Sequence, residues 1–168
     1  MKKTFGKYAV IFILLLTGLG ADYCTKQWAL HQLKNKPVVA AIRGFLELGF
    51  VENRGMVFGI LNRGDNPHGV LSVVTWVRVA VCIFVSAYIV MKRRMPLLFL
   101  LPMCLIWLGA VGNLIDIFRR GYVIDFIHIH AANVLDWPFF FNIADAYVCI
   151  GAGMLLMSGF FSKHPPKQ

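Results

Sequence analysis

Residues 97–116 read LLFLLPMCLIWLGAVGNLID, and the first nineteen of them carry no charge. A helix that crosses a bilayer needs about 20 apolar residues. This stretch therefore reads as a membrane span that ends on an aspartate, Asp116. Working outward, three more apolar runs lie at about residues 8–28, 70–91 and 139–161. Each is interrupted where the third is not: Asp22 and Lys26 fall in the first, Arg78 in the second, Asp145 in the fourth. The expectation is an all-α membrane protein, a single domain over residues 1–168 with four transmembrane helices.

Composition supports a membrane protein. Charged residues make up 15% of the chain, against about 25% in a soluble domain. The net charge of +9 could suit nucleic acid, but the positives cluster between apolar runs: Lys2, Lys3 and Lys7, then Lys92, Arg93 and Arg94, then Lys163 and Lys167. That is the pattern of cytoplasmic flanks, so no nucleic-acid partner is expected. With four spans, all three clusters fall on one side. The termini are then cytoplasmic, and segments of about 31–68 and 118–136 lie outside. Residues 1–24 have a basic start, an apolar core and Cys24, as a signal peptide would. Asp22 and Tyr23 are not the small residues that a lipoprotein cleavage site wants before the cysteine, so a retained first helix is expected. The four cysteines show no C-x-x-C spacing, which argues against a disulfide framework or zinc site.

The acids carry the chemical information. Asp22, Asp116, Asp125 and Asp145 lie in or beside apolar runs. A carboxylate in lipid is costly and normally faces a protein interior or a wet cavity. Under the four-span topology all four can reach the outer boundary of the bilayer. Asp125, in VIDFI, and Asp145, in FNIADA, flank one outer segment. Two carboxylates held close cannot both ionise easily, so they share a proton and titrate as a unit. The ionised member can take a proton from water while the other donates to a carbonyl.

Each residue has a plainer reading too. Asp145 could serve the N-terminus of its helix, with Asn142 as cap. Asn113 and Asn142 could orient the carboxyls or bond helix to helix. Asn53 is a turn candidate. Asp22 and Lys26, four apart, can pair on one helical face. Arg78 is expected to snorkel or pair within the bundle. His128 and His130 could suggest a metal, but no ligand set of known spacing accompanies them; neither a metal nor another cofactor is expected. Residues 45–61 partly alternate and are rich in glycine, so a short sheet or hairpin on the outer surface is expected. Buried acids also mark ion pathways, so a proton relay or transporter is a rival function, and a non-catalytic scaffold is another.

Five ordered motifs resemble those of the lipoprotein (type II) signal peptidases: Asp22-x-x-x-Lys26, VENRGMVFG at 51–59, GAVGNLID at 109–116, GYVIDF at 121–126 and FNIADA at 141–146. The resemblance implies an intramembrane aspartic peptidase with an outer β-cradle. It implies cleavage of bacterial prolipoproteins before a diacylglyceryl-modified cysteine, in the cytoplasmic (inner) membrane and near its outer face. Asp125 and Asp145 match the catalytic aspartates. Asn53, Asn113 and Asn142 match polar residues around them, and Asp22 and Lys26 match a pair near the outer end of the first helix. Globomycin is the inhibitor expected at such a site, and a monomer in membrane lipid is expected. One departure is Ile117, where the family usually has Arg after the aspartate. Arg119 or Arg120 is expected to supply that charge beside Asp116.

Overall fold

The computed structural model describes residues 2–54, 67–92, 95–131, 135–136 and 139–162. Arg93, Arg94, Lys163, Lys167, Trp137 and residues 55–61 of the outer segment lie outside these. Four helices are present: α1 (Lys2–Gln32), α2 (Pro67–Met91), α3 (Leu97–Arg120) and α4 (Ile143–Ser162). Strands β1 (Val39–Ile42), β2 (Leu46–Asn53), β3 (Val123–Ala131) and β4 (Leu135–Asp136) form an antiparallel sheet in chain order. The protein is therefore mostly helical with a small sheet.

Among the described residues three helical stretches are long and apolar enough to cross a membrane: Gly6–Gln32, Val73–Met91 and Leu97–Arg120. The apolar stretch of α4, Ile143–Gly159, falls short of that length. The helix that contains it, Ile143–Ser162, has 20 residues and begins just after Asn142. Many large apolar side chains face outward, including Phe12, Leu16, Trp76, Phe84 and Leu156. In water such a surface would be unstable; in lipid it costs nothing.

Helix α3 is the hub and packs on α1, α2 and α4. Small residues let the backbones close in. A Cβ on Gly109 would collide with the Ala144 carbonyl of α4, and one on Gly151 would sit 2.6 Å from the Pro102 carbonyl. Arg119 and Arg120 occupy the last turn of α3, where cations complement the helix dipole. Gly121 then closes the helix in the left-handed conformation at φ 77°, its N–H donating to the Ile117 carbonyl. That turn sends the chain directly into β3.

The sheet is larger than residues 45–61 suggest. β2 pairs upstream with β1 and, across the whole chain, with β3. Within the segment 118–136, VIDFIHIHA is a nine-residue strand. Ala29 of α1 and Leu33 just beyond it pack on Ile124 and Phe126 of β3, which fixes the sheet against one end of the bundle.

Candidate active site

Each site residue is placed by a local feature. In the β2–β3 register Val51 opposes Asp125 and Asn53 opposes Val123. Asn53 is thus the diagonal same-face neighbour of Asp125. Its Nδ2 donates to Asp125 Oδ2 at 2.8 Å. The residue that reads as a turn former is the last of a strand.

Before α4 the chain runs beside β3. Phe141 exchanges backbone hydrogen bonds with Ile127 at 2.9 Å each way. This register delivers Asn142 next to Asp125. Asn142 Nδ2 lies 2.6 Å from Asp125 Oδ1 and 3.2 Å from both the Ile124 carbonyl and Asn113 Oδ1.

Asn142 also caps α4. Its Oδ1 accepts from the Asp145 N–H at 3.0 Å, and Asp145 Oδ2 accepts from the Asn142 N–H at 3.2 Å. This reciprocal exchange is a capping box. The capping reading of Asp145 is therefore met by its geometry. Its second oxygen, Oδ1, accepts from Asn113 Nδ2 at 2.8 Å. Asn113, Asn142 and Asp125 are buried, while Asp145 and Asn53 are partly open.

Lys26 sets the direction of Asn113. Its ammonium lies 2.9 Å from Asp22 Oδ2, 3.0 Å from Asp116 Oδ2 and 3.0 Å from Asn113 Oδ1. An ammonium has three hydrogens and no acceptor, so three acceptors satisfy it completely. The Asn113 carbonyl must then face Lys26, and its N–H is left for Asp145. Lys26 is only 1% exposed; such burial is tolerated because the charge is both paired and fully bonded.

The two acids that flank Lys26 have further work. Asp22 Oδ1 accepts from the Ala144 N–H at 3.0 Å, which satisfies an otherwise orphaned amide in the first turn of α4. Asp116 Oδ1 accepts from Arg120 at 2.6 Å. Of the two arginines expected near Asp116, Arg120 makes the ion pair. Arg119 is not brought to the cluster: it is exposed, and its guanidinium lies 5.2 Å from the Tyr23 ring centroid. Residues 119 and 120 lie three and four positions beyond Asp116, so either could reach it; Arg120 does, and Arg119 turns to Tyr23 of α1 instead.

Burial pushes the Asp125 carboxyl up to about 7, helped by the negative charge of Asp145; the amides of Asn53 and Asn142 and the charge of Lys26 act the other way. Asp125 thus titrates near neutral pH with a second carboxyl in its field. Such an arrangement can hold one acid and one base at the same pH. Among the described residues no group of three or more His, Cys, Asp or Glu is placed to hold a metal ion. His128 instead bonds Glu47 at 3.0 Å and stacks on Phe140.

The chain is similar to known proteins over most of its length. A family profile described as signal peptidase (SPase) II matches residues 13–161. A lipoprotein signal peptidase of Clostridium tetani is 33% identical over 145 residues, covering 86% of this chain and 88% of the relative. One from Chlorobium phaeovibrioides is 38% identical over 154 residues, covering 87% of each. A solved bacterial membrane enzyme superposes with a TM-score of 0.80 at 23% identity, covering 95% of this chain and 93% of that one. That last likeness speaks for the fold alone.

Proposed function

We propose that this chain, which belongs to the signal peptidase II family, is an aspartic endopeptidase. It removes signal peptides from bacterial prolipoproteins by cutting before the diacylglyceryl-modified cysteine. The observation that carries this reading is the position of Asn142, bonded through its side chain to Asp125 and through its backbone to Asp145. One residue thereby holds both carboxyls at one site.

In this reading Asp125 and Asp145 share one proton. The ionised member takes a proton from water, and the protonated member donates to the scissile carbonyl as water adds. No metal and no covalent intermediate take part. Asn53, Asn113 and Asn142 hold the carboxyls in register. Asp22, Lys26 and Asp116 hold Asn113. Arg119 has no part beside the pair.

The family and three long apolar helices support a multi-pass bacterial membrane protein. Beyond that, α4 is the fourth span, both termini are cytoplasmic, and the pair lies near the outer face of the cytoplasmic membrane. The sheet forms the outer cradle. The pair opens sideways to lipid, so the diacylglyceryl chains stay in the bilayer while the peptide bends inward. The enzyme works as a monomer, and globomycin occupies the same site.

The test uses the purified chain in lipid with a diacylglyceryl-modified prolipoprotein and its unmodified form. Cleavage before the modified cysteine, blocked by globomycin and indifferent to chelator, is expected. No cleavage, or loss of cleavage on chelation with recovery on zinc, contradicts the proposal.

A further inference from the structure

Arg78 is a cation in the middle of an apolar helix. It is half-buried, and it shares its stripe of α2 with Cys82, Val85 and Ile89, the residues turned toward the bundle. Those positions recur at helical spacing, so Arg78 leaves α2 on its bundle side. Its depth follows from a neighbouring bond. Trp107 Nε1 of α3 donates to Ser86 Oγ of α2 at 3.0 Å. The two helices run antiparallel, so eight residues along each from that bond, roughly 12 Å at 1.5 Å per residue, Arg78 stands level with residue 115. That is the depth of Asn113 and Asp116.

Among the described residues the guanidinium has no hydrogen-bond or salt-bridge partner. The charges it meets are those of Asp145 and, less strongly, Asp125. Among the described residues the other charged groups near the site already have partners, Arg119 having turned to the Tyr23 ring. On α1 and α3, Asp22, Lys26, Asp116 and Arg120 form a closed set of two acids and two bases. On β2, Glu52 is held by Lys34 and Arg54, and Glu47 by His128 of β3. On α4, Tyr147 interacts with Asp22. Among the described residues this leaves the pair of carboxyls, which carries one negative charge when it shares one proton, and the positive charge of Arg78 on α2.

We infer that Arg78 is the counter-ion of the Asp125–Asp145 pair, a positioning residue that keeps one of the two carboxyls ionised at neutral pH. This rests on the two-acid reading above. Arg78 acts through the pair and not on the substrate. An unmatched negative charge at the edge of a bilayer would be costly and would drive the pair to take a second proton, which abolishes the base.

The experiment compares the full chain with Arg78→Gln and Arg78→Lys in the lipidated-prolipoprotein assay across pH. Removing a nearby cation raises the first ionisation of the pair, so the acid limb of the kcat/KM profile moves to higher pH. A shift of about one unit is expected, so kcat/KM falls by up to about tenfold at pH values below the wild-type limb. Arg78→Lys keeps the limb close to wild type. An unmoved limb in Arg78→Gln overturns the inference, whether the rate is unchanged or merely lower. Infrared titration of the carboxyl bands of each protein reads the same shift without turnover. If wild type fails to cleave, the peptidase reading falls, while a carboxyl titration that moves in Arg78→Gln still upholds the counter-ion. If wild type cleaves and the titration does not move, only the counter-ion falls.

Discussion

Asn142 Nδ2 lies 2.6 Å from Asp125 Oδ1 while the same side chain, through Oδ1, caps the helix that carries Asp145. One amide therefore joins the strand that carries the first acid to the helix that carries the second. The two functions separate by substitution. Asn142→Ser keeps a good helix cap but loses the donor to Asp125. It is expected to melt near wild type and to lose activity by about a hundredfold, the order seen when one oriented donor is removed from an active site. Equal losses of stability and activity would mean that Asn142 serves the helix alone.

Lys26 is bonded to three buried acceptors on two helices. Lys26→Met leaves Asp22 and Asp116 without it, and an uncompensated buried charge costs about 3–5 kcal/mol. Asp116 still has Arg120, so the orphan that matters is Asp22. Adding Asp22→Asn to Lys26→Met should restore part of the melting temperature in a double-mutant cycle. Additive losses would show that the ion pair is not the source of the cost.

The raised Asp125 carboxyl has a signature in stability. Unfolded, it ionises near 3.8; folded, near 7. Between those values the unfolded chain holds fewer protons than the folded one, so stability falls as pH rises through this window. The slope from this one group reaches at most about 1.4 kcal/mol per pH unit. Asp125→Asn should flatten the fall in melting temperature between pH 4 and 7 and leave the region below pH 4 unaltered. A slope identical to wild type would contradict the placement of Asp125 in a poorly solvated pair.

Gly112 lies against both α1 and α4: a Cβ there would stand 2.7 Å from Asp22 Oδ2 and 3.2 Å from Ala144 Cβ. Gly112→Ala is expected to cost about 1–3 kcal/mol by overpacking and to disturb the Asp22–Ala144 bond. Gly153, where a Cβ would meet nothing within 4 Å, is the control, and Gly153→Ala should be close to neutral. Thermal melts in lipid or detergent compare the two.

Much of the site is legible in the chain because charge in an apolar run is costly. Asp22, Lys26, Asp116, Asp125 and Asp145 stand out on that ground alone, and local spacing suggests the Asp22–Lys26 and Asn142–Asp145 pairings. What spacing cannot reveal is non-local. Asn53 meets Asp125 across 72 residues, and Lys26 meets Asn113 across 87. The strand nature of residues 123–131 depends on a partner at 46–53, so an isolated reading of VIDFI finds only a short apolar run. The choice between Arg119 and Arg120 is not set by helical spacing, since both neighbour Asp116; it turns on Tyr23 of α1, whose ring takes Arg119. Arg78 reads as an ordinary snorkelling residue until the depth of α2 against α3 is known.

Turnover of a diacylglyceryl-modified prolipoprotein by Asp125→Asn and Asp145→Asn tests the account most directly. Each substitution is nearly isosteric, yet each removes a group that can ionise. Both variants are expected to fold, to retain the substrate and to lose turnover by about a thousandfold or more. A variant that still cleaves at a wild-type rate would remove that carboxyl from the chemistry and end the two-acid account.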